Sequence, residues 1–162
     1  MLKKICFFTL IISCTPLAIG MSDYETSSTS AAQSQLDHIK SQMLAIKRAW
    51  NSARIRIKLA EKASPQLYQT VKQTLEKILS NDIFTNKLNE VVSNQFDAIV
   101  QNSMPFSGTT TELSLSALFP NVTMNQFEQE LFSAMAHKAY YLELGKKLAQ
   151  KMQELQMVVP II

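Results

Sequence analysis

The chain has 162 residues and a formal net charge of +3 at pH 7; 46% of it is apolar, 18% charged, and only three residues are Gly. That length suits one domain, the shortage of glycine excludes collagen-like repeats and glycine-rich phosphate loops, and the apolar content excludes a wholly disordered chain. With so few turn-forming glycines, a β-sandwich is disfavoured and helix is what remains.

Residues 1–20, MLKKICFFTLIISCTPLAIG, place two lysines before an apolar run, then Pro16 and the small residues Ala18 and Gly20. The pattern predicts a secretory signal peptide cleaved after Gly20. Ile5 to Gly20 is 16 residues broken by a proline, short of the about 20 that cross a bilayer. Ile11-Ile12-Ser13-Cys14 offers an alternative, a lipobox that would leave the chain lipid-anchored at Cys14. Cleavage after Gly20 removes both cysteines, Cys6 and Cys14. The exported chain, periplasmic or secreted, would then have no disulfide and would depend on packing alone. Losing Lys3 and Lys4 as well leaves 14 basic residues against 13 acidic, a net charge of +1.

Residues 21–30, MSDYETSSTS, are polar and without period, and are expected to form a disordered leader. A helical domain is expected over 31–157. Leu36, Ile39, Met43, Ile46, Trp50, Ala53, Ile57 and Ala60 recur at alternating spacings of three and four, the heptad seam of a long amphipathic, coiled-coil-like helix over about 31–63. Ser64-Pro65 predicts the cap and first position of a second helix, with Tyr68, Val71, Leu75 and Ile78 or Leu79 on its apolar face and an end near Ser80. Asn81-Asp82 predicts a further cap, before a helix carrying Phe84, Leu88, Val91 or Val92, Phe96 and Ile99 to about Ser103. These two stretches can be separate helices or one bent helix. Met104-Pro105-Phe106-Ser107-Gly108 is a loop. Thr109-x-x-Glu112 resembles a capping box and predicts a short helix ending before Pro120. Thr123-x-x-Gln126 predicts the cap of a long last helix with a stripe of Phe127, Leu131, Met135, Ala139, Leu142, Ala149, Met152 and Leu155, in which Gly145 marks a bend or a close crossing. The apolar tail 158–162 is expected to tuck against the domain; the alternative is display to a partner groove. The expected fold is all-α, a bundle of four or five helices, two of them long, with no sheet.

Chemistry is sparse. His38 and His137 are the only histidines and, without a cysteine, their spacing makes no zinc site; no metal, cofactor or catalytic residue is expected. His38 reads as solvated on a charged face, and His137 as the weak basis of a hydrolase reading, since a triad is defined by geometry. Glu128 and Glu130 point to different sides of a helix, and Glu112 and Glu143 show no partner in the sequence. No dinucleotide, P-loop, zincin or nucleophile-elbow spacing occurs. Asn121-Val122-Thr123 is a glycosylation sequon, relevant only in a eukaryote.

Charge is more informative. Between Leu36 and Lys62 the basic residues Lys40, Lys47, Arg48, Arg54, Arg56, Lys58 and Lys62 face only Asp37 and Glu61, a local net of +5 against −4 for the rest of the exported chain. Either the two halves neutralise each other, or the basic face meets an acidic partner or an anionic membrane surface. The candidate partner-binding residues are Lys40, Lys47, Arg48, Arg54, Arg56 and Lys58; nucleic acid is not an expected partner, because these cations do not interleave with aromatics.

On the last helix, Lys138-Ala139-Tyr140-Tyr141-Leu142-Glu143-Leu144-Gly145-Lys146-Lys147-Leu148 joins adjacent tyrosines to lysines. One tyrosine is expected to pack on the core with its hydroxyl at the rim. The aromatic pair followed by Gly-Lys-Lys-Leu resembles a family of uncharacterised bacterial periplasmic proteins with an all-helical domain. The likeness covers about twenty residues; Thr123 stands further from Tyr140 than the family's pattern has it, and Leu142-Glu143 replace its Ser-Pro. The resemblance implies an exported helical domain and assigns no functional residue.

The expected function is therefore that of an exported, non-catalytic helical protein that binds a macromolecule at the cell envelope, as an adaptor, chaperone or assembly subunit, with a protein partner or a second copy engaged through the helix seam. The alternative is a carrier of an apolar ligand such as a lipid or fatty acid, in a cavity lined by Phe84, Phe96, Phe127, Phe132, Met124, Met135 and Met152.

Overall fold

The structure, a computed structural model, describes residues 26–158 other than Ser103 and Thr109. The expected signal segment and lipobox, the first part of the leader and nearly all of the apolar tail lie outside the described residues. Five helices follow in order: α1 (Thr26–Ala63), α2 (Pro65–Leu79), α3 (Asp82–Val100), α4 (Leu115–Leu118) and α5 (Gln126–Val158). No strand occurs among the described residues, and the fold is all-α with two long helices, as the sequence predicts.

Helix α1 begins at Thr26, five residues before the expected start, so the end of the stretch read as leader is helical. Nothing between Thr26 and Ala31 is Gly or Pro, and extending an existing helix costs far less than nucleating one. A single residue, Ser64, separates α1 from α2. Pro65 takes the first helical position, but Ser64 supplies no side-chain cap, contrary to expectation. Its backbone does the work instead: its N–H donates to Ala60 O (3.2 Å) and its carbonyl accepts from Tyr68 N (2.8 Å).

α2 and α3 are separate helices, divided at Ser80-Asn81, and the Asn81 side chain caps α3 by accepting from Ile83 N at 2.8 Å. α3 stops at Val100, short of the expected Ser103. Asn102 there adopts φ 53, the left-handed conformation that closes helices and that asparagine tolerates better than most residues. Residues 101–125 form a long crossover. Its short α4 is capped by Ser114, which accepts from Ala117 N. Glu112, expected in a capping box with Thr109, which lies outside the described residues, pairs with Lys87 at 2.8 Å. The cap of α5 is likewise displaced: Asn125 accepts from Glu128 N while Glu128 accepts from Asn125 N, each at 2.9 Å. The same cap spacing recurs two residues beyond Thr123, with a carboxylate in the first turn that also complements the helix dipole.

Inter-helix contacts fix the directions. Gln35 Nε2 donates to Val100 O at 2.8 Å, bringing the start of α1 to the end of α3. Phe84 meets Phe132 edge-on at 6.2 Å and Ser93 meets Lys147 at 2.9 Å, so α3 and α5 run the same way. α1 is antiparallel to both, and its principal neighbour is α5. The seam residues Leu36, Ile39, Ile46 and Ala53 are buried, with Met43, Trp50, Ile57 and Ala60 packed around them.

The expected stripe on α5 needs rotation. Leu131, Met152 and Leu155 are buried, but the centre of the face is Phe132, Ala136, Tyr140, Tyr141, Leu144 and Leu148, while Phe127, Met135 and Ala139 pack at its edge. α5 lies between α1, α3 and the crossover and is apolar over a wide arc, so several stripes fit its sequence equally well. Gly145 interrupts nothing: α5 continues through it, and an added Cβ would meet only Ile46 Cγ2, at an ordinary 3.9 Å.

Candidate functional site

The helical repeat sets the geometry of α1. At 100° per residue, Ile55 stands about 20° and Leu59 about 60° from Leu44 around the helix, whereas the buried Ile39, Ile46 and Ala53 fall about 180–220° away. Leu44, Ile55 and Leu59 are accordingly exposed, at 59%, 55% and 58%. They form a second apolar stripe, back to back with the seam. The heptad reading of the sequence does not include them; their spacings of eleven and four residues are the signal that places them on one face.

The cations share that side. Arg48 and Lys62 lie within the stripe, Lys40, Lys47, Arg54 and Lys58 on one flank and Arg56 on the other, a fan of about 200°. The structure thus brings all six candidate binding residues to the outward half of α1. Lys47, Arg48, Arg54, Arg56 and Lys58 are exposed and Lys40 is half-buried. The Arg54 guanidinium lies 5.6 Å from the centre of the Trp50 ring, a cation–π contact that steadies one flank.

Five acids outside α1 are paired with lysines of segments other than α1. Glu76 pairs with Lys72, Glu90 and Glu112 with Lys87, Glu143 with Lys146 and Glu154 with Lys151. The two glutamates that seemed partnerless in the sequence, Glu112 and Glu143, are among them, and the bond to Glu112, then that to Glu90, raises the pKa of Lys87. On α1 itself Lys40 pairs with Asp37 at 3.4 Å. Among the described residues Arg48, Arg54, Arg56, Lys58 and Lys62 have no ion pair. The five glutamates paired with lysines of their own are thus not used on the α1 face.

The other candidates have settled roles. His137 Nδ1 lies 2.7 Å from the Ser133 carbonyl and 3.3 Å from the Ser133 hydroxyl. Its Nε2 is buried without a partner among the described residues, and its ring lies 5.9 Å from that of Tyr141. The carbonyl claims the Nδ1 proton, so Nδ1 has no lone pair with which to activate the serine. His38, expected to be solvated, is half-buried with Nε2 unpartnered, because the flank of α1 it occupies borders the seam. Among the described residues no group of three or more His, Cys, Asp or Glu is placed to hold a metal ion.

Tyr140 and Tyr141 are both buried, at 1% and 6%, where one was expected on the core. The Tyr141 hydroxyl donates to Gly108 O at 2.5 Å, and its ring meets Phe106 edge-on at 5.8 Å. Phe106 N in turn donates to Gln42 Oε1 at 2.8 Å. Tyr141 therefore pins the crossover to α5 while Gln42 pins it to α1. Burial raises the pKa of both phenols.

Two surface depressions stand out. One, about 360 Å³, lies between α3, the crossover and Tyr140, with Asn94, Gln95 and Glu112 on its walls; the other is shallow, at Ser64–Leu67. None of the seven Phe and Met residues expected around a ligand cavity lines either one. Phe84 and Phe132 pack on each other instead, and Met152 is buried in the core. No helix among the described residues is long and apolar enough to cross a membrane. Compared with protein-family models, with curated proteins and with solved structures, the chain matches none.

Proposed function

We propose that the chain is an exported, non-catalytic binding protein of the cell envelope, working as an adaptor, chaperone or assembly subunit, and that it engages its partner through the outer face of α1. The observation that carries this reading is the row of Arg48, Arg54, Arg56, Lys58 and Lys62, without an ion pair among the described residues, beside three exposed apolar side chains, while Lys72, Lys87, Lys146 and Lys151 elsewhere on the fold have acids of their own. Uncompensated like charge on one helix raises its self-repulsion, and exposed leucine and isoleucine gain nothing in a free monomer. Both become favourable when an acidic, partly apolar surface covers them. α5 packs along the heptad seam, which favours the opposite face of α1 as the contact.

Photo-crosslinking in the native envelope tests the reading. A photoreactive residue at Asn51, on the outer face, is expected to give adducts that one at Thr74, exposed on α2, does not. Charge reversal at Arg48, Arg54 and Lys58 is expected to suppress those adducts with the folded state intact. Equal yields from the two positions would overturn the proposal.

A further inference from the structure

We infer that the surface covered by the outer face of α1 is an anionic lipid bilayer, on which the helix lies flat with Leu44, Ile55 and Leu59 set among the head groups. The inference rests on the proposal that this face is the contact surface and names what it contacts.

Three features of the face favour a bilayer. First, its charge is of one sign along its length: the two acids of the segment, Asp37 and Glu61, stand near its ends, and Asp37 is already held by Lys40. A second copy of the chain would set cation against cation and is disfavoured by its own charge. Second, the cations fan over about 200° of the helix surface. Flexible lysine and arginine side chains on both flanks reach down to a plane, whereas a single acidic helix or a narrow groove would meet only those near the centre line.

Third, the apolar residues stand apart. Leu44 and Ile55 are separated by three turns that carry Arg48 and Asn51, so the run of anchors at three, four and seven residues that a protein groove reads is missing. Isolated apolar side chains ringed by cations are what an interfacial helix inserts into the head-group region. From Leu44 to Leu59 the stripe extends about 22 Å, and α1 is braced by α5 on its opposite side. The helix therefore meets the surface already formed, with no ordering cost at binding.

Vesicle sedimentation of the full chain provides the test, with every variant carrying the same residues 1–20 so that this segment contributes equally. The vesicles are phosphatidylcholine alone, or with about one-third phosphatidylglycerol, in low and high salt. Binding is expected to require the anionic lipid and to fall steeply with salt. A variant with Arg48, Arg54 and Lys58 changed to Gln is expected to bind at least about tenfold more weakly, each cation near an anionic surface contributing about fivefold. A second variant, Leu44→Gln with Ile55→Gln and Leu59→Gln, is expected to lose at least about threefold and the salt-resistant part of the binding. Circular dichroism and the thermal transition check that both variants fold. Binding that ignores lipid charge, or that neither variant weakens, overturns the inference. Sensitivity to the cations but not to the leucine and isoleucine changes also overturns it, since it means adsorption without insertion. If no vesicle binds while Asn51 still crosslinks to a protein, the lipid assignment fails and the proposed contact surface stands.

Discussion

The two faces of α1 are built from the same kinds of apolar residue and have opposite fates. On the inward face Leu36, Ile39, Ile46 and Ala53 are 5% exposed or less, and Met43 and Trp50 between them complete a run with an apolar residue every three or four positions; on the outward face Leu44, Ile55 and Leu59 recur more sparsely and are more than half exposed. The inward residues are closely enough spaced to form a continuous strip, and α5 offers a matching strip of Leu144, Leu148 and Met152. The outward residues are interrupted by arginine and asparagine, which no element of the fold covers. Burial follows continuity more than composition, because a helix can remove a side chain from water only when its neighbours along the strip are also willing to leave it.

Truncating both faces gives the largest contrast. Ile39→Ala is expected to cost about 2–5 kcal/mol of stability through lost transfer energy and the cavity left behind, whereas Leu44→Ala is expected to change it by no more than about 0.5 kcal/mol. Urea denaturation of the two variants measures the difference; equal losses would mean that the outer face is covered within the free chain.

Alkaline titration comes next. Burial raises the phenol pKa of Tyr140 and Tyr141 above the ordinary value near 10. The unfolded chain therefore releases these protons first. Their contribution is fully present below about pH 10 and is lost as the pH climbs from there toward the folded-state values. Denaturation midpoints are expected to hold steady to about pH 10 and fall above it, and the Tyr140→Phe variant to show a shallower fall.

The smallest effect concerns the seam itself. Gly145→Ala is expected to stabilise the protein by about 0.5–1 kcal/mol, since alanine restricts the unfolded chain and favours helix, and its methyl group has room beside Ile46 at 3.9 Å. Destabilisation on thermal melting would show that α1 and α5 approach more closely there than the geometry gives.

Much of the fold was legible in the sequence. The heptad run of α1, Pro65 at the start of α2, the Asn81 cap of α3 and the Pro-Gly loop are local signals, set by residues within a few positions of one another. What failed was also instructive. Thr109 and Thr123 both had the capping-box spacing, yet Ser114 and Asn125 cap the helices. Several competent caps lay within a few residues, and the path of the crossover chose among them. The core face of α5 was misread for the same reason, because a helix apolar over a wide arc has no single preferred stripe until its neighbours are placed. Of the candidate site, the six cations were legible by count; the three apolar residues among them were not recognised as a stripe.

By itself the sequence determined that the chain is helical, that its longest amphipathic helix carries a continuous seam, and that positive charge gathers on that helix, since propensity, period and charge are local properties. The tertiary structure alone decided that α5 takes the seam, that Tyr141 and Gln42 fasten the crossover, and that Glu112 of the crossover is spent on Lys87 of α3. Those outcomes depend on which side chains far apart in the chain come within reach of each other, and that is set by packing the whole core at once. Packing thus left the outer face of α1 basic, apolar in part, and uncovered.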